Sequence, residues 1–357
     1  MKKTKTFIFL IISSISFLQM DCKEEPPVAP PIELPPGSRD YTWTVDTLKP
    51  PPGDIINLYS MWGSSDKNIW VVGHGDVSYN CIWHYDGVKW QRDSVRLSSN
   101  HQSVYGFGPN DVWIVDAPNG ERIWHYNGSQ WSLFGNYKKP TQSIFYLGNV
   151  WGDAANNVYA VGSEISTSDN MNHAVIMNYD KTNWKYLVIS DVDVALLSIR
   201  RENQSTKYYL VGAYFGATES LYEVYEFDEQ QQLKEIYSNP SQIRNVNLIN
   251  GKIYFSGGKQ IWKYRNNQFE VWKDFSSTDF HIGTLWGKSE SDIFAQGFEG
   301  NTYGIVHFNG SDWKMLYPLN GPKQYFLSSM AVFDSTVFAL VGDNTTNMIV
   351  RGKLQNH

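Results

Sequence analysis

Four stretches of this chain together supply aromatic rings, carboxylates and histidines. They span residues 74–80, 163–173, 213–221 and 298–304. Aromatic rings stack on apolar ring faces and on cations, and carboxylates accept hydrogen bonds from hydroxyls or ligate calcium. The mixture therefore suits a sugar, a cationic peptide or calcium. The candidate ligand-binding residues in these stretches are His74, Asp76, Tyr79, His173, Tyr214, Phe215, Glu219, Phe298, Glu299 and Tyr303.

The same carboxylates raise the alternative of a glycan-active enzyme. Glycosidases act through two carboxyl groups about 5–10 Å apart. No pair of carboxylates in this sequence is singled out by its spacing, so we predict no catalytic residues. We expect a non-catalytic binding or scaffold role, with glycosidase-like chemistry as the alternative. A simpler explanation for the rings is a chain that is 15% aromatic and places some of them in polar loops.

A repeated sequence motif predicts the strands that position these residues. Its clearest copy runs through Met61-Trp62-Gly63, a strand-like segment at 68–73 and a hairpin at 82–87, with Trp90 following. Further copies recur about every 40 to 50 residues, the period of a β-propeller. The positions that mark the end of the second strand of each copy are Gly73, Asp116 in place of glycine, Gly162, Gly212, Gly257, Gly297 and Gly342.

Each copy predicts four antiparallel strands, a to d, with an Asp-Gly or Asn-Gly turn of type I′ between c and d. The seventh copy ends at Lys353-Leu354, one strand short, and residues 41–48 supply a strand ahead of the first copy. Pairing of that strand with the last copy closes the ring and removes its open edge. The sequence therefore predicts an all-β, seven-bladed β-propeller of four-stranded antiparallel blades, closed by an N-terminal strand.

In such a ring the b–c and d–a loops emerge on one face, and the a–b and c–d turns emerge on the other. All four stretches fall on predicted b–c connections. Function commonly lies on loops that a rigid scaffold positions. We therefore expect the b–c loop face to contact a glycan or a protein partner.

The remaining histidines and cysteines do not predict a metal or a nucleophile. His84, His125 and His307 occupy the same repeat position, so they fall in different blades and cannot share one ion. Cys81 lies on predicted strand c of the first blade without an activating motif nearby, which is typical of a small buried side chain. We predict no metal and no cofactor.

Residues 55–354 resemble the galactose oxidase/kelch-like propeller superfamily. Within it they are most similar to lipoproteins whose repeats contain the motifs Trp-Gly, Asn-Asp-Val-Trp and His-Tyr-Asn-Gly. The motifs that carry this are Trp62-Gly63, Asp111-Val112-Trp113 and His125-Tyr126-Asn127-Gly128. The resemblance implies the fold and a binding role. It does not extend to the copper ligands of galactose oxidase or the Asp boxes of sialidases, and the kelch Gly-Gly pair occurs only at Gly257-Gly258.

The N-terminus looks like that of a bacterial lipoprotein. Lysines precede an apolar stretch at 7–20, which is typical of a signal peptide, and Cys22 follows directly. Lys23-Glu24-Glu25 resembles the signal that sends Bacteroidetes lipoproteins to the cell surface. Asp21 departs from the small residue expected before the cysteine, and an ordinary secreted protein is the alternative.

We therefore expect a signal peptide over residues 1–21, a Pro-rich acidic tether over 22–40 and the propeller over 41–357. Acylation of Cys22 would anchor the protein to outer-membrane lipid, in the cell envelope and exposed at the surface. A net charge of −6 offers no basic surface for a phosphate backbone. Nucleic acid is therefore not an expected partner.

Overall fold

The computed structural model describes residues 37–50, 52, 55–75, 81–93, 100–117, 122–137, 143–215, 220–228, 230–239, 242–321, 324–343 and 345–355. The predicted signal peptide and most of the tether lie outside these residues. So do four candidate residues, namely Cys22, Asp76, Tyr79 and Glu219. Within the described residues, no helix is long and apolar enough to cross a membrane.

In the part of the chain that the structure describes, twenty-eight strands form seven antiparallel sheets of four strands. Blade 1 contains β2 (Ile56–Ser65), β3 (Asn68–Gly75), β4 (Ile82–Tyr85) and β5 (Trp90–Arg92). Blade 2 contains β6 (His101–Gly108), β7 (Asp111–Asp116), β8 (Arg122–Tyr126) and β9 (Trp131–Asn136). Blade 3 contains β10 (Ile144–Ala154), β11 (Asn157–Ile165), β12 (Asn172–Tyr179) and β13 (Trp184–Tyr186).

The remaining four blades follow the same order from inner strand a to outer strand d. Blade 4 contains β14 (Ala195–Arg201), β15 (Tyr208–Phe215), β16 (Ser220–Phe227) and β17 (Leu233–Asn239). Blade 5 contains β18 (Asn245–Ile249), β19 (Lys252–Gly257), β20 (Gln260–Arg265) and β21 (Gln268–Asp274). Blade 6 contains β22 (Phe280–Ser289), β23 (Asp292–Glu299), β24 (Thr302–Phe308) and β25 (Trp313–Pro318). Blade 7 contains β26 (Phe326–Val332), β27 (Thr336–Gly342), β28 (Asn347–Leu354) and, as its outer strand, β1 (Tyr41–Leu48).

The N-terminal strand closes the ring, as predicted. β1 pairs antiparallel with β28 from Tyr41 opposite Leu354 to Leu48 opposite Asn347. Trp43 lies with its ring centroid 5.1 Å from that of Tyr317 in blade 6. The strand thus completes blade 7 and also packs against the neighbouring blade. We call the side of the ring with the b–c and d–a connections the upper face, and the side with the a–b and c–d turns the lower face.

Hydroxyl groups on the inner strands join adjacent blades. Ser60 Oγ accepts from the Val104 amide at 3.1 Å, and Ser103 Oγ accepts from the Val150 amide at 3.2 Å. Ser329 Oγ makes the equivalent bond to the Met61 amide at 3.2 Å, across the junction where the last blade meets the first. Each serine lies at a β-bulge of its inner strand. The bulge and the serine together make a repeated inter-blade bond.

At Gly73 and Gly162, near the upper end of strand b, strand a approaches too closely to leave room for a side chain. A Cβ at Gly73 would lie 2.0 Å from the Asn57 carbonyl oxygen, and one at Gly162 would lie 1.8 Å from the Tyr146 carbonyl oxygen. Either side chain would overlap the neighbouring backbone, so glycine recurs at this position. The recurrence marks packing between strands and not a ligand.

Blade 2 has Asp116 at that position, inside a buried polar cluster. Asp116 Oδ1 lies 2.6 Å from His101 Nδ1, and its Oδ2 accepts from Trp124 Nε1 at 2.9 Å. Arg122 Nε lies 3.6 Å from the same Oδ2. His101 and Asp116 are fully buried. Because a buried carboxylate must be hydrogen bonded, these donors explain how blade 2 tolerates an acid here.

The repeated histidines lie in separate blades, where they support strands. His125 Nε2 lies 2.8 Å from Asp111 Oδ1, and His307 Nε2 lies 2.8 Å from Asp292 Oδ1. His84 stacks on Trp70 with ring centroids 4.1 Å apart. Cys81 is buried in the core of blade 1, immediately before β4 and not on it.

The c–d turns differ from the predicted type I′ geometry. Only the glycine has positive φ in the Asp86-Gly87 turn, at 91°, whereas type I′ requires positive φ at two central residues. Asp86 Oδ1 accepts from the amides of Val88 and Lys89 at 2.9 and 2.8 Å. The aspartate side chain therefore shapes a four-residue connection in place of a two-residue loop.

Candidate binding face

The upper face gathers the exposed aromatic side chains of the described residues. Strands b end there and strands a begin there, because the strands of each blade alternate in direction. Tyr214 and Phe215 end β15, Phe298 lies one residue before the end of β23, and Phe326 begins β26. The other two exposed rings lie on the upper parts of inner strands; they are Tyr59 on β2 and Tyr146 on β10.

Most of the described candidate residues lie on strands and not in long loops. His74 lies on β3, His173 on β12, Tyr214 and Phe215 on β15, Phe298 and Glu299 on β23, and Tyr303 on β24. The 298–304 segment is a tight hairpin, since only residues 300 and 301 separate β23 from β24. Gly300 has a φ of 61°, which permits the turn. Strand pairing therefore fixes these side chains more firmly than a loop would.

Phe298 and Tyr303 form the centre of the best-defined part of this face. They are cross-strand neighbours, and their ring centroids lie 4.8 Å apart. The Tyr303 hydroxyl accepts from the Leu327 amide at 3.1 Å and lies 3.3 Å from Gln296 Oε1. Burial raises the pKa of Tyr303, so its hydroxyl keeps its proton and donates it to Gln296.

Two depressions flank this hairpin. One, of about 370 Å³, lies toward blade 5 and includes Arg244, His281 and Gln296 in its lining. The other, of about 620 Å³, lies between blades 6 and 7, and we call it the 6/7 cleft. Its described lining residues are Gln296, Phe298, Asn301, Tyr303, Leu319, Asn320, Gly321, Gln324, Tyr325, Phe326 and Leu327.

Sequence analysis missed the blade 7 side of this cleft. Gln324, Tyr325 and Phe326 lie in a d–a connection and at the start of an inner strand, and only b–c connections were expected to carry the site. A signal was available, because an amide and two aromatic residues precede the apolar strand β26. Adjacent blades each contribute one wall, which a blade-by-blade reading of the repeats does not reveal.

Neither depression is lined by a carboxylate of the described residues. The candidate Glu299 accepts from the Met315 amide at 3.3 Å, which directs one of its carboxylate oxygens toward the outer strand of its own blade. A glycosidase needs two carboxylates beside the sugar. The described lining of the two depressions beside Phe298 does not supply such a pair.

His173 forms a separate cluster on the same face. Its Nδ1 lies 2.8 Å from Asp191 Oδ1 and 3.4 Å from Asp193 Oδ1, and its Nε2 lies 3.1 Å from Asp169 Oδ2. The hydrogen bond with Asp191, with help from Asp169, raises the pKa of His173 despite partial desolvation. One ligand atom each of His173, Asp191 and Asp193 lie within 4.8 Å of one another. Both ring nitrogens already face carboxylates, so the group forms an ion-pair cluster.

The structure brings together only some of the predicted residues. Phe298 and Tyr303 touch, whereas His74 lies in blade 1, His173 in blade 3, and Tyr214 with Phe215 in blade 4. Tyr214 and Phe215 are 43% and 55% exposed, so they remain available on the face. The predicted set is therefore a spread of surface positions, with one compact group at blades 6 and 7.

Comparisons with known proteins support the fold. No protein-family model matches the sequence, and no curated protein matches it. A solved structure of YCF48 bound to a D1 peptide is similar with a TM-score of 0.58 and 15% identity, covering 90% of this chain and 100% of that one. The AfRom2 CNH domain has a TM-score of 0.52 and 11% identity, covering 88% of this chain and 100% of that one.

A third similar structure is the extracellular domain of a hybrid two-component system from B. thetaiotaomicron. Its TM-score is 0.54 at 9% identity, and the match covers 86% of this chain but 40% of that one. At such identities the likeness establishes the propeller fold alone. It does not distinguish a kelch or galactose oxidase relationship from other propellers.

Proposed function

We propose that this protein is a non-catalytic binding module that engages its partner through the upper face. The observation that carries the proposal is the distribution of exposed rings. All six exposed aromatic side chains of the described residues lie on the upper face or on the upper part of the inner strands. Aromatic residues are enriched at interaction sites, and the compact group at blades 6 and 7 places Phe298 and Phe326 in one cleft.

The described surroundings of these rings favour binding over catalysis. The two depressions at Phe298 are lined by rings and carboxamides, with no described carboxylate. The carboxylates around His173 are engaged by its ring nitrogens. Glycosidase chemistry, the alternative that the sequence leaves open, thus finds no paired acid and nucleophile among the described lining of the two depressions beside Phe298.

The proposal is tested with the purified full chain and two matched variants. Phe298→Ala with Phe326→Ala removes exposed rings from the upper face, and Val88→Ala removes an exposed apolar side chain from the lower face. We expect a glycan array or a pull-down from outer membranes to detect binding that the first variant loses and the second keeps. Equal binding by both variants would contradict an upper-face site.

We also propose that the chain is a surface-exposed outer-membrane lipoprotein related to the galactose oxidase/kelch-like propellers. The supporting features are the Trp-Gly and His-Tyr-Asn-Gly repeats and the apolar segment directly before Cys22. Acylation at Cys22 is tested by mass spectrometry of the N-terminal peptide. Cys22→Ser should move the protein from the membrane fraction to the soluble fraction.

Residues 37–40 approach β1 along the lower face of blade 6. The Gly37 amide donates to Ser291 O at 3.0 Å and Asn309 O at 2.7 Å, both in turns of the lower face of blade 6. Arg39 forms an ion pair with Asp312 at 2.8 Å in the same region. The chain therefore reaches β1 along the lower face.

A further inference from the structure

We infer that the 6/7 cleft binds an uncharged saccharide. This inference rests on the proposed binding function of the upper face and names the ligand class for one part of it. The cleft has a volume of about 620 Å³, within the range of about 300–1,000 Å³ that is typical of ligand sites. Its two walls come from the β23–β24 hairpin of blade 6 and the entry to β26 of blade 7.

The lining combines two kinds of side chain that together match a sugar. Four aromatic residues, Phe298, Tyr303, Tyr325 and Phe326, offer surfaces for the apolar faces of pyranose rings. Four carboxamides line the same space, and they are Gln296, Asn301, Asn320 and Gln324. A carboxamide both donates and accepts hydrogen bonds, as each sugar hydroxyl does.

The described lining residues carry no ionised side chain at neutral pH. A charged ligand buried here would lose its hydration without gaining a counter-charge from them, which is costly. A neutral ligand loses only hydroxyl hydration, and carboxamides can replace it. Positions 322–323, which include Lys323, lie outside the described residues, so the experiment below includes acidic sugars and a Lys323 variant.

Gln296 is held in place before any ligand arrives. The Tyr303 hydroxyl accepts from the Leu327 amide, so its own proton is directed to Gln296 Oε1 at 3.3 Å. This contact orients the carboxamide with its oxygen toward Tyr303 and leaves the Nε2 hydrogens for other acceptors. A preorganised donor costs less conformational entropy on binding than a mobile one.

The surface next to the cleft suits a ligand longer than one sugar unit. Gln296, Phe298 and Tyr303 also line the depression of about 370 Å³ on the blade 5 side. The stacked pair of Phe298 and Tyr303 therefore forms a ridge between two adjoining depressions. An oligosaccharide could place one ring in the 6/7 cleft and extend across the ridge.

Isothermal titration of the full chain with neutral and acidic oligosaccharides tests the inference. The neutral probes are oligomers of glucose, mannose, xylose and galactose, and the acidic probes are oligogalacturonate and a sialylated oligosaccharide. We expect at least one neutral probe to bind and no acidic probe to bind more tightly. Gln296→Glu, which adds a charge without changing the shape, and Phe326→Ala should each weaken binding about tenfold or more.

Gln268→Glu provides the matched control, because Gln268 is exposed on the lower face and receives the same change. Its affinity should equal that of the unmodified protein. Preferred binding of an acidic probe would overturn the uncharged class, whether Lys323→Ala or Arg244→Ala abolishes it. Failure of every saccharide, with capture of a protein partner that depends on Phe298 and Phe326, would overturn the inference and leave the proposed function standing. Failure of both would overturn both.

Discussion

The two faces of the ring differ in how closely they follow the repeat. On the lower face, four c–d turns begin with an Asp or Asn whose Oδ1 accepts two backbone amides, and the next residue has positive φ. The four starting residues are Asp86, Asn127, Asp180 and Asn309. On the upper face, strand ends and connections differ from blade to blade. Repetition therefore identifies the parts that maintain the fold, and departures from it identify where a ligand site can form.

This comparison also explains why the candidate site crosses a blade boundary. A repeated position lies in the same place in every blade, so it creates seven similar environments and not one special one. The 6/7 cleft needs the Phe298–Tyr303 pair of the blade 6 hairpin beside the Tyr325-Phe326 entry of blade 7. The short turn alone is not distinctive, because blade 5 also joins its strands b and c through two residues, 258–259. Specificity arises where two non-repeated features meet.

Both faces require a closed ring, so deletion of residues 41–48 should have the largest effect. It removes β1, its eight-residue pairing with β28 and the Trp43 contact with Tyr317. We expect loss of a cooperative thermal transition by calorimetry, because blade 7 would expose a long open edge. Thr42→Ala, an exposed change on the same strand, should stay within about 0.5 kcal/mol of the parent. A deleted protein that melts like the parent would contradict closure by β1.

Replacing Asp116 of blade 2 by the glycine found at this position in the other blades should destabilise the protein. Asp116→Gly removes the acceptor of Trp124 Nε1 and His101 Nδ1 inside a buried site. We expect a loss of about 3 kcal/mol in unfolding free energy, measured by denaturant titration, because buried donors are left unsatisfied. Asp116→Asn keeps one carbonyl acceptor and should lose less. An unchanged free energy of unfolding would show that the hydrogen bonds of Asp116 do not stabilise the fold.

The same substitution on the two faces compares them directly. Gly128 in a lower-face turn has a φ of 91°, and a Cβ there would lie 2.7 Å from Asn110 side-chain atoms. Gly300 in the upper-face hairpin has a φ of 61° with no atom within 4 Å of a built Cβ. Gly128→Ala should cost about 1–2 kcal/mol, and Gly300→Ala should cost less. Denaturant unfolding that gave the reverse order would contradict the greater constraint on the lower face.

Glu290 should make lower-face stability sensitive to acid. Burial alone would raise its pKa, but hydrogen bonds from Tyr254 and Lys263, with the charges of Lys263 and Lys252, lower the pKa from 4.5 to about 2. A depressed folded pKa contributes stability above pH 4.5 that is lost as the pH falls toward 2. Glu290→Gln should therefore cost about 1 kcal/mol at pH 7 and less at pH 3, measured by denaturant unfolding. A cost that grows with acid would contradict this assignment.

His173 should give the upper face the opposite pH dependence, with the smallest effect. Its pKa is raised above 6.5, chiefly by Asp191, so its contribution is complete below pH 6.5 and is lost as the pH rises through the folded value. Replacement by Asn should cost a few tenths of a kcal/mol at pH 6, about the value of an exposed ion pair, and almost nothing at pH 9. Titration of the His173 ring by NMR measures the direction independently. A midpoint below 6.5 would exclude the ion-pair cluster.

The amino-acid sequence by itself determined the architecture. The recurring glycine and Trp-Gly positions give seven copies, and the missing last strand and the extra first strand give the closure. These features were readable because strand pairing and close packing impose the same local demand in each blade, as the Asn57 contact at Gly73 illustrates. Four of the described candidate positions, Tyr214, Phe215, Phe298 and Tyr303, lie at the b–c ends of their blades, as the sequence predicted. Their role in binding stays a prediction.

Only the tertiary structure decided which residues share a site. In blade 6, β23 and β24 extend to a two-residue turn, so the segment that was expected to be a long loop is a hairpin. Blade 7 supplies the opposite wall of the 6/7 cleft. Tyr303 and Leu327 are far apart in sequence, yet their hydrogen bond orients Gln296. The physical reason is that a repeat specifies contacts within a blade and between equivalent positions, whereas the 6/7 cleft depends on non-equivalent side chains brought together when the ring closes.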